Sequence, residues 1–192
     1  MTCDVVVMGS SWGGMNALTH VLAALPEGFS APVVVAQHRH KSSKEGLLAS
    51  LLVPVCKCPV LDADDKQAIE PGHVYIAPAD YHLIVERGHL ELSVDEPVAY
   101  SRPSIDVLFE SAADAYGSGV VAVVLTGANA DGADGVRRVR ERGGVTVAQA
   151  PETAERPEMP EAAIATGAVM HVLALDDIGH FLGSICTEAG QR

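Results

Sequence analysis

Aromatic side chains are scarce, 4% of the chain with a single Trp, so the core has to be built from aliphatic residues. Positive charge is scarce as well: 13 Lys and Arg against 25 Asp and Glu leave a net charge of −12. Phosphate binding needs clustered cations that release counterions, so nucleic acid is excluded as a partner. The one basic run, Arg137, Arg138, Arg140 and Arg142, alternates with apolar positions and reads as the solvated face of a helix. No apolar run approaches the roughly 18 residues of a membrane span, so the chain is not membrane-inserted. Cysteines are few, and the spacing of Cys3, Cys56, Cys58 and Cys186 matches no disulfide framework. No secretory leader precedes the first apolar segment, so a reducing, cytoplasmic setting is expected. Cys56-Lys57-Cys58 lacks a second close pair of ligands and reads as two thiols, not a metal site. No metal and no cofactor are expected.

What the chain does have is length, aliphatic content and glycine. Its 192 residues, 48% hydrophobic with 18 Gly, suit one domain across residues 1–192 with a substantial core. Val5 to Met8 is a continuous apolar run ending at Gly9, the pattern of a strand buried on both faces. Helical spacing follows from Gly14 to Leu25, closed by Pro26. Val33 to Ala36 and Val120 to Leu125 repeat the buried-strand pattern, and Val145 to Ala148 adds another. Helices are predicted near Lys44–Leu52, after Ser104 as a cap, over Gly132–Arg142, near Pro160–Thr166 and from Asp176 onward. Short strands are expected near Val60, over Val74–Ala77 and over Val169–Val172, and Arg87-Gly88 turns a hairpin. The alternation predicts a doubly wound α/β fold. Its sheet is mostly parallel with helices on both faces, and it carries one antiparallel hairpin. The Pro151 to Met159 stretch is the one segment expected to be mobile.

In such sheets ligands bind beyond the carboxyl ends of the strands. Three apolar strands end in chemically useful tails: Gly9-Ser10-Ser11, Gln37-His38, and Thr126-Gly127 leading to Asp131. Gly9-Ser10-Ser11-Trp12-Gly13 is G-x-S-x-G at a strand-to-helix turn, the pattern that lifts a nucleophilic serine above a sheet. A dinucleotide-binding turn is the rival, but the third glycine is misplaced and no acid ends the second strand. His38 is the general-base candidate that Ser11 needs, with His40 a rival two residues on. The remaining histidines fit surface or core positions. Asp131 would orient the imidazole, and it also stands where a cap for the following helix belongs. Asp134 is a weaker candidate, inside that helix. Backbone amides of Gly127-Ala128-Asn129 offer an oxyanion hole.

Taken together, these segments resemble the catalytic domain of the CheB family of chemotaxis receptor methylesterases. The resemblance rests on Gly9 to Gly14, Gln37-His38, Pro71 to Pro78, Arg102 to Phe109, and Leu125 through Gly132, which occur in family order. It implies a cytoplasmic serine hydrolase that cleaves glutamate methyl esters on chemoreceptor helices, releases methanol and in some members deamidates glutamine. By resemblance the catalytic residues are Ser11, His38 and Asp131, and the oxyanion donor is the amide of Ala128. Three departures stand out: Trp12 where the family has threonine, a glycine missing after Ala128, and Arg39-His40 where methionine and proline are frequent. Trp12 would narrow or reshape the pocket, and Arg102 is a candidate to line the substrate groove. Met159-Pro160 resembles a family segment near the site and is assigned no chemistry.

The implied partners are methylated receptor helices or another signalling protein, and a separate regulatory protein, because the receiver domain common in the family is not expected in this chain. An esterase or amidase with a different substrate, and a non-catalytic signalling module, remain open on the residues alone.

Overall fold

The computed structural model describes residues 3–186. Seven parallel strands form the central sheet: β1 (Val5–Ser10), β2 (Val33–Gln37), β3 (Val60–Asp62), β4 (Val74–Ile76), β7 (Val120–Val124), β8 (Val145–Gln149) and β9 (His171–Leu173). Their order is β3-β4-β2-β1-β7-β8-β9, while β5 (His82–Glu86) and β6 (His89–Ser93) form the antiparallel hairpin as a separate two-stranded sheet. The chain winds outward from β1 first through β2 and then, on the other side, through β7. The carboxyl ends of β2, β1 and β7 therefore frame the switch in winding direction, where such sheets open a crevice.

Strand periodicity sorts the valines. Val6, Met8, Val33, Val35, Val121 and Val123 point to one layer, made by α1 (Gly14–Ala23), α2 (Leu47–Leu52) and α6 (Leu175–Cys186). Val5, Val7, Val34, Val120 and Val124 point the other way. They meet α3 (Ile105–Tyr116), α4 (Ala133–Glu141), α5 (Glu158–Ala165) and Leu83 and Leu90 of the hairpin. Burial on both faces is why these strands are runs of valine with no polar alternation.

Several expectations need correction. The helix expected from Lys44 begins at Leu47, because Gly46 (φ 72°) and its amide bond to Asp62 Oδ2 (2.6 Å) hold the preceding residues in a turn. Cys3 and Cys186 are not thiols but form a disulfide, with Cα atoms 5.1 Å apart across 183 residues of sequence. Helix α6 returns to the start of β1, which no local spacing reveals. Cys56 and Cys58 are free and half-buried, as expected. The Pro151–Met159 stretch is not a loose loop. It opens with a short 3-10 turn (Pro151–Thr153) and is stitched to β7's exit: the amides of Arg156, Gly127 and Met159 donate to Thr126 Oγ1, Arg156 O and Gly127 O at 2.8, 3.0 and 2.9 Å.

Among the described residues no helix is long and apolar enough to cross a membrane, and no group of three or more His, Cys, Asp or Glu could hold a metal ion.

Candidate active site

The turn after β1 presents Ser11. Its amide donates to Thr126 O (2.9 Å), so the exits of β1 and β7 are joined directly. Gly13 takes φ 78°, a left-handed conformation that costs glycine nothing and lets α1 start immediately at Gly14. No hydrogen bond engages Ser11 Oγ among the described residues, and the side chain is half-buried.

His38 follows β2, its amide donating to Ser10 O (2.9 Å). Gln37 braces this pair of turns: its Nε2 donates to Ser11 O (2.8 Å) and His38 O (3.0 Å), while Ser10 Oγ donates to its Oε1. Gln149, at the end of β8, does the same for β7, accepting the Thr126 amide at 2.9 Å. The sequence displayed both glutamines as polar endings on apolar strands, but nothing in it told a brace from a simple strand end.

Asp131 lies 2.6 Å from His38, Oδ2 to Nε2, and is buried. It does not cap the helix that follows it. Gly132, at φ 99°, occupies that position without a side-chain cap, because the carboxylate turns toward α3 instead. Its Oδ2 accepts the Ile105 amide (2.8 Å), and its Oδ1 accepts the Asp106 amide (2.9 Å) and the Ser104 hydroxyl (3.0 Å). In exchange, Asp106 Oδ1 accepts the amides of Gly132 (2.9 Å) and Gly135 (2.7 Å), so the two helices trade caps. Ser104 keeps its expected place as the residue before α3 and accepts from the Val107 amide at 3.4 Å.

Burial works to raise the Asp131 carboxyl, yet the hydrogen bond from His38 and the Ile105 and Asp106 amides hold it below the usual carboxylate value. A carboxylate can only accept, so an ionised Asp131 at the amino end of α3 calls for the His38 proton on Nε2 and makes Nδ1 an acceptor. Asn129 stands at that nitrogen, its Nδ2 3.4 Å away and its Oδ1 accepting the Asp131 amide at 3.2 Å.

Gly127 sits tightly between the two turns and the α5 segment. A Cβ there would come within 2.6 Å of Met159 Cε and 2.9 Å of Ser11 Cβ. The Gly127 amide is already given to Arg156 O, which removes it from any oxyanion hole. The next amide, that of exposed Ala128, makes no hydrogen bond among the described residues and is free to donate.

The other expected residues lie at the rim. Trp12 is 60% exposed, its Nε1 donating to Glu155 (2.8 Å) and its ring facing Arg156 at 5.5 Å. Two clefts open beside His38, one of 290 Å³ toward Arg102 and Tyr100 and one of 260 Å³ toward α2, and Trp12 lines neither. Arg102 does line the first. Its guanidinium is committed to Asp80 (2.7 Å), Val94 O (2.7 Å) and Asp95 O (2.9 Å), so it acts there mainly as a strut. His40 is exposed and bonded to Ser42, apart from Asp131, and Asp134 is exposed and paired with Arg137.

Comparisons with known proteins show the family and the fold. The family model described as CheB methylesterase matches residues 6–182. A protein of Leptospira interrogans serovar copenhageni is 42% identical over 179 residues, covering 93% of this chain and 92% of its own. The protein-glutamate methylesterase/protein-glutamine glutaminase of Nitrosospira multiformis is 40% identical over 188 residues, 97% of this chain but 53% of that relative, so the chain spans about half of it. The crystal structure of the Thermotoga maritima CheB methylesterase catalytic domain superposes with a TM-score of 0.91 at 34% identity, covering 96% of this chain and 99% of that one.

Proposed function

The chain belongs to the CheB methylesterase family, and on that footing we propose that it hydrolyses glutamate methyl esters on chemoreceptor helices by acyl-enzyme chemistry. The observation that carries the reading is the 2.6 Å contact of His38 with a buried, thrice further bonded Asp131, set beside a serine whose turn is tied to the same strand exit. In this reading Ser11 Oγ attacks the ester carbonyl while His38 Nδ1 takes its proton. The carbonyl oxygen becomes an oxyanion facing the free Ala128 amide, and Asp131 stabilises the imidazolium. Collapse expels methoxide, which takes the proton from His38 and leaves as methanol. Water then attacks the glutamyl–Ser11 ester by the same route, releasing the glutamate and restoring the serine. Glutamine deamidation would follow the same course with ammonia as the leaving group. The proposal carries a cytoplasmic location with it on the resemblance alone, since the Cys3–Cys186 disulfide removes the cysteine pattern as a ground for a reducing setting.

The test is methanol release from a methylated receptor fragment. Wild-type protein is expected to release it, and Ser11→Ala to lose on the order of 10⁴-fold or more in kcat. Small esters hydrolysed with no methanol from any methylated receptor of the same cell would overturn the substrate. Wild-type rates in Ser11→Ala would overturn the mechanism.

A further inference from the structure

An enzyme with a net charge of −12 acting on a segment whose hydrolysed esters are carboxylates faces repulsion, unless cations are gathered where the two meet. Arg39, His40, Lys41 and Lys44 follow His38 with no acid among them, and Glu45, Asp62 and Asp64 stand on the far side of Lys41, around a separate cleft. Most cations elsewhere are engaged: Lys66 with Glu91, Arg102 with Asp80, Arg138 and Arg142 with Asp114, Arg156 with Glu158. Arg39 turns inward to Ala77 O, beside Asp62. Lys41 and Lys44 differ. Both are exposed, and among the described residues neither ammonium makes an ion pair or a hydrogen bond.

These free cations border an apolar surface. Helix α2 reads Leu-Leu-Ala-Ser-Leu-Leu, apolar almost all round, although only one side of it meets the core. Leu48 and Leu52 are buried, while Leu47 and Leu51, one helical turn apart, are 48% and 54% exposed. Both line the 260 Å³ cleft with Met15, Lys44 and His38, so the apolar stripe runs into the active site itself. A surface helix normally turns a polar face outward, so two exposed leucines at i and i+4 leave α2 with an unpartnered apolar face beside the cleft.

We propose that the α2 face, Leu47 and Leu51 flanked by Lys41 and Lys44, docks an acidic amphipathic helix of the protein substrate and delivers its ester side chain to Ser11. The inference rests on the methylesterase reading and adds to it the surface that selects the substrate. Apolar residues of the incoming helix seat against Leu47, Leu51 and Met15. Its glutamates face Lys41 and Lys44, and because each turnover makes a new carboxylate, neighbouring sites on the same helix bind more strongly as the reaction proceeds.

The experiment measures KM and kcat for methanol release from a methylated receptor fragment, with p-nitrophenyl acetate turnover by the same preparation as the readout of the chemistry alone. Lys41→Glu/Lys44→Glu and, separately, Leu47→Asp/Leu51→Asp are expected to raise KM for the fragment at least tenfold, with kcat within about twofold. The wild-type KM should rise with ionic strength, and the lysine variant should lose that dependence. Arg140→Glu, an exposed change on α4, serves as the control and should leave both substrates unaffected. An unchanged fragment KM in both double variants overturns the docking face. So does a loss that falls equally on p-nitrophenyl acetate, or a shift in sedimentation showing that the face joins two copies of this chain. Wild-type protein that turns over p-nitrophenyl acetate but releases no methanol counts instead against the methylesterase reading.

Discussion

Asp106 offers a test of the cap exchange that supports the site. Burial is the strongest influence on its carboxyl and pushes it up to about 7; Asp131 and Asp134 push the same way, while the Gly135 amide pulls it back. In the unfolded chain an aspartate titrates near 3.9. The folded protein therefore holds a proton between those values that the unfolded chain has released. The stability this contributes is fully present below about pH 4 and is lost as the pH rises through about 7. The carboxyl is only half-buried, so solvent screening keeps this contribution below the roughly 4 kcal/mol that full burial of the charge would imply. Asp106→Asn removes the ionisation but keeps an Oδ1 that can accept the Gly132 and Gly135 amides at the start of α4. Urea unfolding of wild type and variant from pH 4 to pH 8.5 should show the variant gaining on wild type as the pH rises through about 7, by less than that figure. Asp106→Ala, which leaves two buried amides unpaired, should lose stability at every pH and slow ester turnover by displacing the Asp131 loop. A difference between Asp106→Asn and wild type that is flat in pH would refute the argument from burial. A variant equally unstable throughout would mean that the two amides require a negative charge.

Gly127→Ala should cost about 1–3 kcal/mol and on the order of 100-fold in p-nitrophenyl acetate turnover, because its Cβ would strike Met159 Cε at 2.6 Å and move the Ala128 amide; a wild-type rate would show that the turn has room. Reducing Cys3–Cys186, which spans 183 residues, should lower stability by up to about 5 kcal/mol in denaturant titrations while ester turnover stays unchanged. The bridge lies at the start of β1 and the site beyond its end, so a parallel loss of activity would contradict that separation. Trp12→Thr should change stability by less than about 1 kcal/mol and small-ester kcat/KM by no more than a few-fold, since the indole is 60% exposed and its polar contacts, to Glu155 and Arg156, lie at the rim. A large kinetic effect would place the ring over the substrate after all.

The sheet was legible because its strands are buried on both faces, and that burial writes itself as unbroken valine runs at Val5, Val33 and Val120. Their polar endings, filtered by the rule that parallel strands point their carboxyl ends at the ligand, were enough to bring Ser11, His38 and Asp131 to one edge. What stayed hidden is whatever depends on direction in space. The sequence places Asp131 before α4, and a cap for that helix is the natural inference. Only the packing of α3 against α4 turns the carboxylate to Ser104, Ile105 and Asp106. The face of the imidazole is hidden in the same way: Asp131 meets Nε2 and Asn129 meets Nδ1, and a one-dimensional spacing carries no such information. Cys3 and Cys186 were unreadable as partners because their meeting depends on the last helix finding the first strand. The Pro151–Met159 segment was misjudged for a related reason. Its Pro and Glu content fits a loose loop, but the bonds that hold it belong to Thr126 and Gly127, some thirty residues away by the Thr126–Arg156 separation. Those bonds tie the segment carrying Glu155 and Met159 to the turn that offers the Ala128 amide. The residue replaced at Trp12 therefore leans on the same strap that fixes the candidate oxyanion donor, and this links a departure from the family pattern to the geometry of the proposed chemistry.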